Sequence, residues 1–198
     1  GDSLLKYNPV NNSVKLISVF KNGRAVAFSQ SGDSVIIGGL KKIYCYKDDS
    51  LIEVGNISRP EANANPFTVF AREKNKIWFS TIKGEFIYDT RTHVIDTLKP
   101  LYQKLVHNVS QYKDYVFMGT YGGGYYFYKE GKTVRMPFDK NNYLLNVHTF
   151  LIDSNNFMWM TTNHGLLKTN FSDLEKYFND TTVKVNFMYY SEVDGINS

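Results

Sequence analysis

The sequence predicts an all-β fold made of repeated four-stranded units, and three observations predict it. Tyr and Phe are abundant, 15 and 14 of 198 residues, and aromatic and β-branched side chains suit half-buried pleated surfaces. Short apolar runs alternate with polar turns, and no stretch reads as helix over four turns. An apolar strand ending in a small residue recurs: Val35-Ile36-Ile37-Gly38-Gly39, Ile77-Trp78-Phe79-Ser80-Thr81, Val116-Phe117-Met118-Gly119-Thr120 and Phe157-Met158-Trp159-Met160-Thr161-Thr162. The end residues Gly39, Thr81, Thr120 and Thr162 are spaced 42, 39 and 42 residues apart. A period near forty points to propeller blades. The expected fold class is therefore a partial β-propeller of about four four-stranded blades plus a half blade.

The other strands of each unit follow from the same register. Upstream of the anchor strand lie Val26-Ala27-Phe28, Phe67-Thr68-Val69-Phe70, Val106-His107-Asn108-Val109 and Val147-His148-Thr149-Phe150. Polar turns such as Ser31-Gly32-Asp33, Glu73-Lys74-Asn75 and Asp153-Ser154-Asn155-Asn156 separate the two runs, which is a hairpin signal. Downstream, a bend opens a third strand at Gly84, Gly124 and Gly165, where glycine permits positive φ or close backbone approach. Lys42 stands at that place in the first copy. An outer strand such as Val94-Ile95-Asp96-Thr97-Leu98 completes the unit.

The blade pieces fall at roughly 3–19, 24–58, 66–99, 105–138 and 146–190. The first is a half unit: Leu4-Leu5-Lys6-Tyr7-Asn8-Pro9 and Val14-Lys15-Leu16-Ile17 match third and fourth strands. The segment from Phe187 to Ser198 finishes one blade and leads toward another, so the chain is expected to be a fragment of a larger propeller. The opening Gly1-Asp2-Ser3 carries no signal peptide and reads as a start from which one has been left off. Asp173-Leu174-Glu175-Lys176-Tyr177-Phe178 suggests a single helical turn on an outer connection.

Charge and composition narrow the function classes. The net charge of +4 comes from lysines scattered through turns, with no basic face interleaved with stacking residues, so nucleic acid is not an expected partner. One cysteine, Cys45, excludes an internal disulfide and a Cys-based metal site. No apolar run approaches the roughly 20 residues needed to span a bilayer.

The blades resemble the two-component regulator propeller repeat. Asp153-Ser154-Asn155-Asn156-Phe157-Met158-Trp159-Met160-Thr161-Thr162-Asn163-His164-Gly165-Leu166 is the best match, followed by Ile77-Trp78-Phe79-Ser80-Thr81-Ile82-Lys83-Gly84, and Thr120-Tyr121-Gly122-Gly123-Gly124 is similar to the Gly-rich variant of the bend. The first copy lacks both the Trp and the Thr. Asp194-Gly195-Ile196-Asn197-Ser198 looks like the segment leading into the last blades before a β-sandwich.

The resemblance implies the periplasmic sensor region of a hybrid two-component histidine kinase of the kind frequent in gut Bacteroidetes. Such a region is tethered through a β-sandwich and a transmembrane helix to a kinase, and often a response regulator, none of which lies in this chain. It implies an oligosaccharide ligand, a homodimer, and no cofactor.

Single residues carry both plain and functional readings. Trp78 and Trp159 occupy near-equivalent places and read as packing between blades, since stacking on a sugar requires exposure. His107 and His148 share one repeat position on the innermost strand, where the other copies hold Phe67 and Ala25. They are candidate ligand contacts beside a central channel, though two histidines are too few for a metal site. His164 lies in a bend and His93 in an outer turn, neither with a partner by spacing. Tyr121-Gly122-Gly123-Gly124-Tyr125 is not a phosphate loop, because no helix follows, but it suits a ligand contact at an exposed bend.

No general acid–base pair and no nucleophile elbow can be read, so the chain is not expected to be an enzyme. The rival readings are a protein-interaction scaffold and a propeller carbohydrate-active enzyme.

Overall fold

The computed structural model describes residues 3–20, 27–31, 33–39, 42–57, 68–73 and 75–195, and it divides into two compact units, Gly1–Leu105 and Val106–Ser198. Ala25 and Phe67 lie outside the described residues, as do residues 24, 26, 58 and 66 of the expected blade pieces.

In the first unit, β1 (Ser3–Asn8) and β2 (Ser13–Val19) form a two-stranded sheet. Next come β3 (Ala27–Ser31), β4 (Ser34–Gly39), β5 (Lys42–Lys47) and β6 (Ser50–Asn56) as a four-stranded antiparallel sheet in sequence order. A second such sheet holds β7 (Thr68–Glu73), β8 (Lys76–Thr81), β9 (Gly84–Asp89) and β10 (Ile95–Thr97). The outer strand β10 is shorter than the alternation of Val94 to Leu98 suggests.

The second unit repeats the plan twice. One sheet is β11 (Val106–Tyr112), β12 (Tyr115–Thr120), β13 (Tyr125–Lys129) and β14 (Lys132–Arg135). The other is β15 (Val147–Ile152), β16 (Phe157–Thr162), β17 (Gly165–Asn170) and β18 (Met188–Tyr190), with helix α1 (Phe171–Asn179) inserted before the last strand.

Local chemistry explains the hairpins. Asp48 and Asp49 both have positive φ, as do Glu130 and Gly131, which is the two-residue geometry that matches strand twist. The recurring threonine organises the bend after the second strand. Thr120 Oγ1 donates to the Gly124 carbonyl at 2.7 Å, Thr162 Oγ1 donates to the Gly165 carbonyl at 3.1 Å, and Thr81 Oγ1 accepts from the Lys83 N–H at 3.0 Å. A short hydroxyl that bonds nearby backbone stabilises a turn better than a strand or helix.

Gly84 and Gly165 then hold φ of +128° and +129°, and a Cβ on Gly84 would lie 2.5 Å from the Leu101 carbonyl oxygen. A Cβ on Gly165 would meet the Tyr190 carbonyl as closely.

Each unit has its own core. In the first, Ile36 and Ile43 pack with Ile77, Phe79, Phe86 and Tyr88. In the second, Phe117, Tyr125 and Phe127 pack with Met158, Met160 and Leu167, and α1 closes the cluster with Phe171, Leu174 and Phe178.

That helix exceeds the single turn read from residues 173–178. Asn170 caps it by accepting the Ser172 N–H, and Phe171 extends its buried stripe by one position that the sequence pattern assigned to the connection. The two tryptophans also part company. Trp78 is fully buried, whereas Trp159 is half-buried, donates from Nε1 to Asp153 Oδ2 at 2.8 Å, and carries the Lys168 ammonium 4.5 Å from its ring centre.

Candidate functional site

The histidines singled out by repeat position are brought together by two matching backbone irregularities. The pairing of β11 with β12 skips between Val106 and Asn108, and that of β15 with β16 skips between Val147 and Thr149. His107 and His148 are the residues left over. A bulge sits at the same place in both sheets, and bulges re-aim side chains that regular alternation would commit to one face. The two rings meet edge to face, with centroids 5.2 Å apart and planes at 73°.

Their nitrogens are anchored differently. His148 Nε2 is hydrogen-bonded to Asn163 Oδ1, so Nε2 carries the proton. His107 bonds the backbone of Thr120, while its Nε2 is buried with no hydrogen-bond partner. Burial lowers the His107 pKa from the usual imidazole value and His148 lowers it further, against the Thr120 bond. The pair is thus biased toward neutrality at His107.

Tyr121 and His164 lie at the same end of these sheets, since Val106 pairs with Thr120 and Val147 with Thr162. Tyr121 is 61 % exposed in the β12–β13 bend, and the neighbouring Gly122 N–H donates to Asn146 Oδ1 at 2.7 Å. His164, in the β16–β17 bend, has a partner that spacing did not reveal. It stacks on Tyr143 at 4.3 Å, and Tyr143 in turn meets Tyr189 at 5.1 Å. The Tyr189 hydroxyl donates to the His164 carbonyl, which fixes the bend.

Beside this bend lies an open groove of about 520 Å³, lined by residues 161–166, Tyr189 and residues 191–193. Its wall combines threonine, asparagine and serine side chains with the Tyr189 ring. That mixture of hydroxyls, an amide and an aromatic face can hydrogen-bond and stack a polar ligand.

Asn163, Tyr143, Asn146 and Tyr189 were missed by sequence reasoning. Asn163 alone carried a signal, as the neighbour of His164 in a matched bend; Tyr143 and Asn146 sit in a connection that does not repeat, and Tyr189 lies on the short outer strand β18. His93 is likewise partnered, through Nδ1 to the Tyr88 hydroxyl at 2.7 Å. Among the described residues no group of three or more His, Cys, Asp or Glu is placed to hold a metal ion. Nor, among them, is any helix long and apolar enough to cross a membrane.

One carboxylate in the first unit was also missed. Glu85 is fully buried, accepts a hydrogen bond from the Ser80 hydroxyl at Oε2, and leaves Oε1 without a partner. Ser80 Oγ also lies 2.7 Å from Thr68 Oγ1. Burial pushes the Glu85 pKa up to about 8, against the Ser80 bond.

Comparison with solved structures settles the architecture. The extracellular domain of BT4673 from B. thetaiotaomicron, a protein assigned to the hybrid two component systems, matches over 97% of this chain and 26% of its own, at 16% identity and a TM-score of 0.67. YCF48 bound to a D1 peptide matches over 85% of this chain and 59% of its own, at 13% identity and a TM-score of 0.62. An ancestral GH74 enzyme matches over 76% and 23%, at 16% identity and a TM-score of 0.58.

The chain is a partial β-propeller. It spans about a quarter of the BT4673 chain it matches. No family model matches it, and no curated protein does.

Proposed function

We propose that this chain is part of the extracytoplasmic ligand-sensing propeller of a hybrid two-component sensor, and that its signal is a glycan-derived oligosaccharide. In this reading the domain is periplasmic and non-enzymatic. Binding is relayed through further blades, a β-sandwich and a membrane anchor to a histidine kinase phosphorelay, within a homodimer.

The observation that carries the reading is the groove at the β16–β17 bend, where residues 161–166 and Tyr189 line about 520 Å³ and Asn163 also bonds His148. The likeness to a sensor's extracellular domain supports it, as does the sequence resemblance in the same bend. A ligand signals only through unequal affinity for two states of its receptor. The groove suits that requirement, because residues 191–193 on its wall follow the outermost strand while residues 161–166 belong to the middle of the sheet.

Isothermal titration against a panel of oligosaccharides tests the reading. Saturable binding that weakens at least tenfold in Asn163→Ala and Tyr189→Ala is expected; no binding by any glycan overturns it.

A second reading, a scaffold for protein partners, is favoured by one feature. Leu5 pairs with Leu16 and Tyr7 with Val14, so four exposed apolar side chains share one face of the β1–β2 sheet. The similar fold of YCF48 is seen with a bound peptide. Retention of partner binding after Asn163→Ala, with loss after Leu16→Asp, would select this alternative.

A further inference from the structure

We propose that the groove at the β16–β17 bend takes uncharged glycans and rejects those bearing uronate or sulfate groups, with Glu192 setting the preference. The inference rests on the sensing reading above and names the substrate class of the same groove.

Many polar groups of the lining are already committed within the protein. Thr162 Oγ1 donates to the Gly165 carbonyl and accepts the His164 N–H. The Tyr189 hydroxyl donates to the His164 carbonyl, and the Ser191 hydroxyl accepts the Asp194 N–H in a capping box. Asn163 accepts from His148 at Oδ1, so its amide N–H groups are what it offers a ligand. Among the exposed lining residues, Asn163 thus brings a donor, Tyr189 an aromatic ring and Glu192 a carboxylate. Neighbouring hydroxyls of a sugar donate to a carboxylate and accept from an amide, while its C–H face stacks on a ring.

The charge along this wall is one-sided. Residues 161–166, 189 and 191–193 line the groove, and the runs 154–167 and 185–198 that contain them hold no Lys or Arg. The whole chain has 23 such residues, so the wall is set apart from its surroundings. Lys168 holds its ammonium 4.2 Å from the Phe157 ring centre, at the opposite end of β16 from the bend. Lys140 lines a separate cavity of about 220 Å³ and is not among the groove residues. Asp194 adds a second carboxylate in the short 3-10 turn Glu192–Asp194. A uronate or sulfate entering the groove loses water, gains no cation and meets a like charge, which is discrimination by repulsion. An uncharged glycan of the same shape meets no such penalty.

Isothermal titration at pH 8, above the ordinary histidine range, compares trisaccharides of glucose, galactose and mannose with their uronic acid counterparts, which differ by the C6 carboxylate. At least one neutral trisaccharide is expected to bind, and its uronate counterpart to bind about tenfold more weakly or worse in about 20 mM NaCl. The ratio should shrink about threefold or more in about 500 mM NaCl, because exposed charges are screened. Glu192→Gln keeps the shape of the side chain and should shrink the ratio as much, leaving affinity for the neutral sugar within about threefold. The salt response needs no substitution, so it decides the matter even where Glu192→Gln perturbs the turn. Uronate binding as tight as neutral binding, or a ratio unmoved by salt or by Glu192→Gln, overturns the proposal and leaves the sensing reading standing. Absence of binding by every sugar of both series removes both.

Discussion

Glu85 occupies, one residue after the bend, the position that Ile43, Tyr125 and Leu166 hold in the other sheets. A carboxyl group there replaces an apolar or aromatic side chain at a buried place, and it folds as the neutral acid. Its pKa rises from 4.5 to about 8, so the native state holds a proton that the unfolded chain releases. The stabilisation is complete below about pH 4.5 and is lost as pH climbs toward and through 8, by up to about 1.4 kcal/mol per pH unit. Urea melts between pH 4.5 and 8.5 should show wild type losing stability relative to Glu85→Gln across that window. A constant difference between the two would contradict the assignment. Tyr125 offers the opposite case at the equivalent position. Its hydroxyl is fully buried in the second unit's core without a hydrogen-bond partner, an arrangement that costs about 1–3 kcal/mol. Tyr125→Phe is expected to raise the stability of the chain by about 1 kcal/mol, read as a higher urea midpoint at unchanged slope.

At the scale of the element, the bend is what the repeat conserves internally, and it sorts the glycines. Gly84, Gly165 and Gly122 all have positive φ, but only the first two would drive a Cβ into a neighbouring backbone carbonyl, whereas Gly122 faces open space. Gly84→Ala and Gly165→Ala are therefore expected to cost about 3 kcal/mol each, and Gly122→Ala about 1 kcal/mol, in denaturant unfolding. Equal costs at all three sites would show that backbone strain alone matters. The same bends explain how much of the fold could be read beforehand. Thr81, Thr120 and Thr162 recur at matching places in their sheets because each hydroxyl bonds the turn that follows, and a local bond of this kind leaves a mark in the sequence. The bulges at His107 and His148 leave none, since one extra residue in a strand looks like any other residue until its partner strand is known. Repeat position alone placed the two histidines together; their contact, and the Asn163 bond that orients one of them, needed coordinates. Glu85 was illegible for a related reason. A charged residue in an alternating strand reads as the solvent side, and only the packing around it shows otherwise.

For the molecule as a whole, stability and ligand binding are one measurement, and the division into two units says where the signal should fall. The groove, the bend at Tyr121 and the histidine pair all belong to Val106–Ser198. A ligand that binds the native state alone, present at one hundred times its dissociation constant, adds about 2.7 kcal/mol of stability. For a chain of this length that corresponds to a rise in melting temperature of about 5–10 °C. Repeat arrays of this kind hold together through contacts between successive sheets, so a gain in one sheet pair need not spread along the chain. Differential scanning calorimetry with the oligosaccharide panel is therefore expected to show the shift in the transition of the second unit, wherever the two units melt apart. Asn163→Ala should cut the shift to about half or less at the same ligand concentration, because the amide both lines the groove and anchors His148. Tyr125→Phe should keep it, because that hydroxyl lies in the core and touches nothing in the groove. A shift confined to Gly1–Leu105, or one that Asn163→Ala leaves undiminished, would move the ligand away from the histidine end and take the sensing proposal with it.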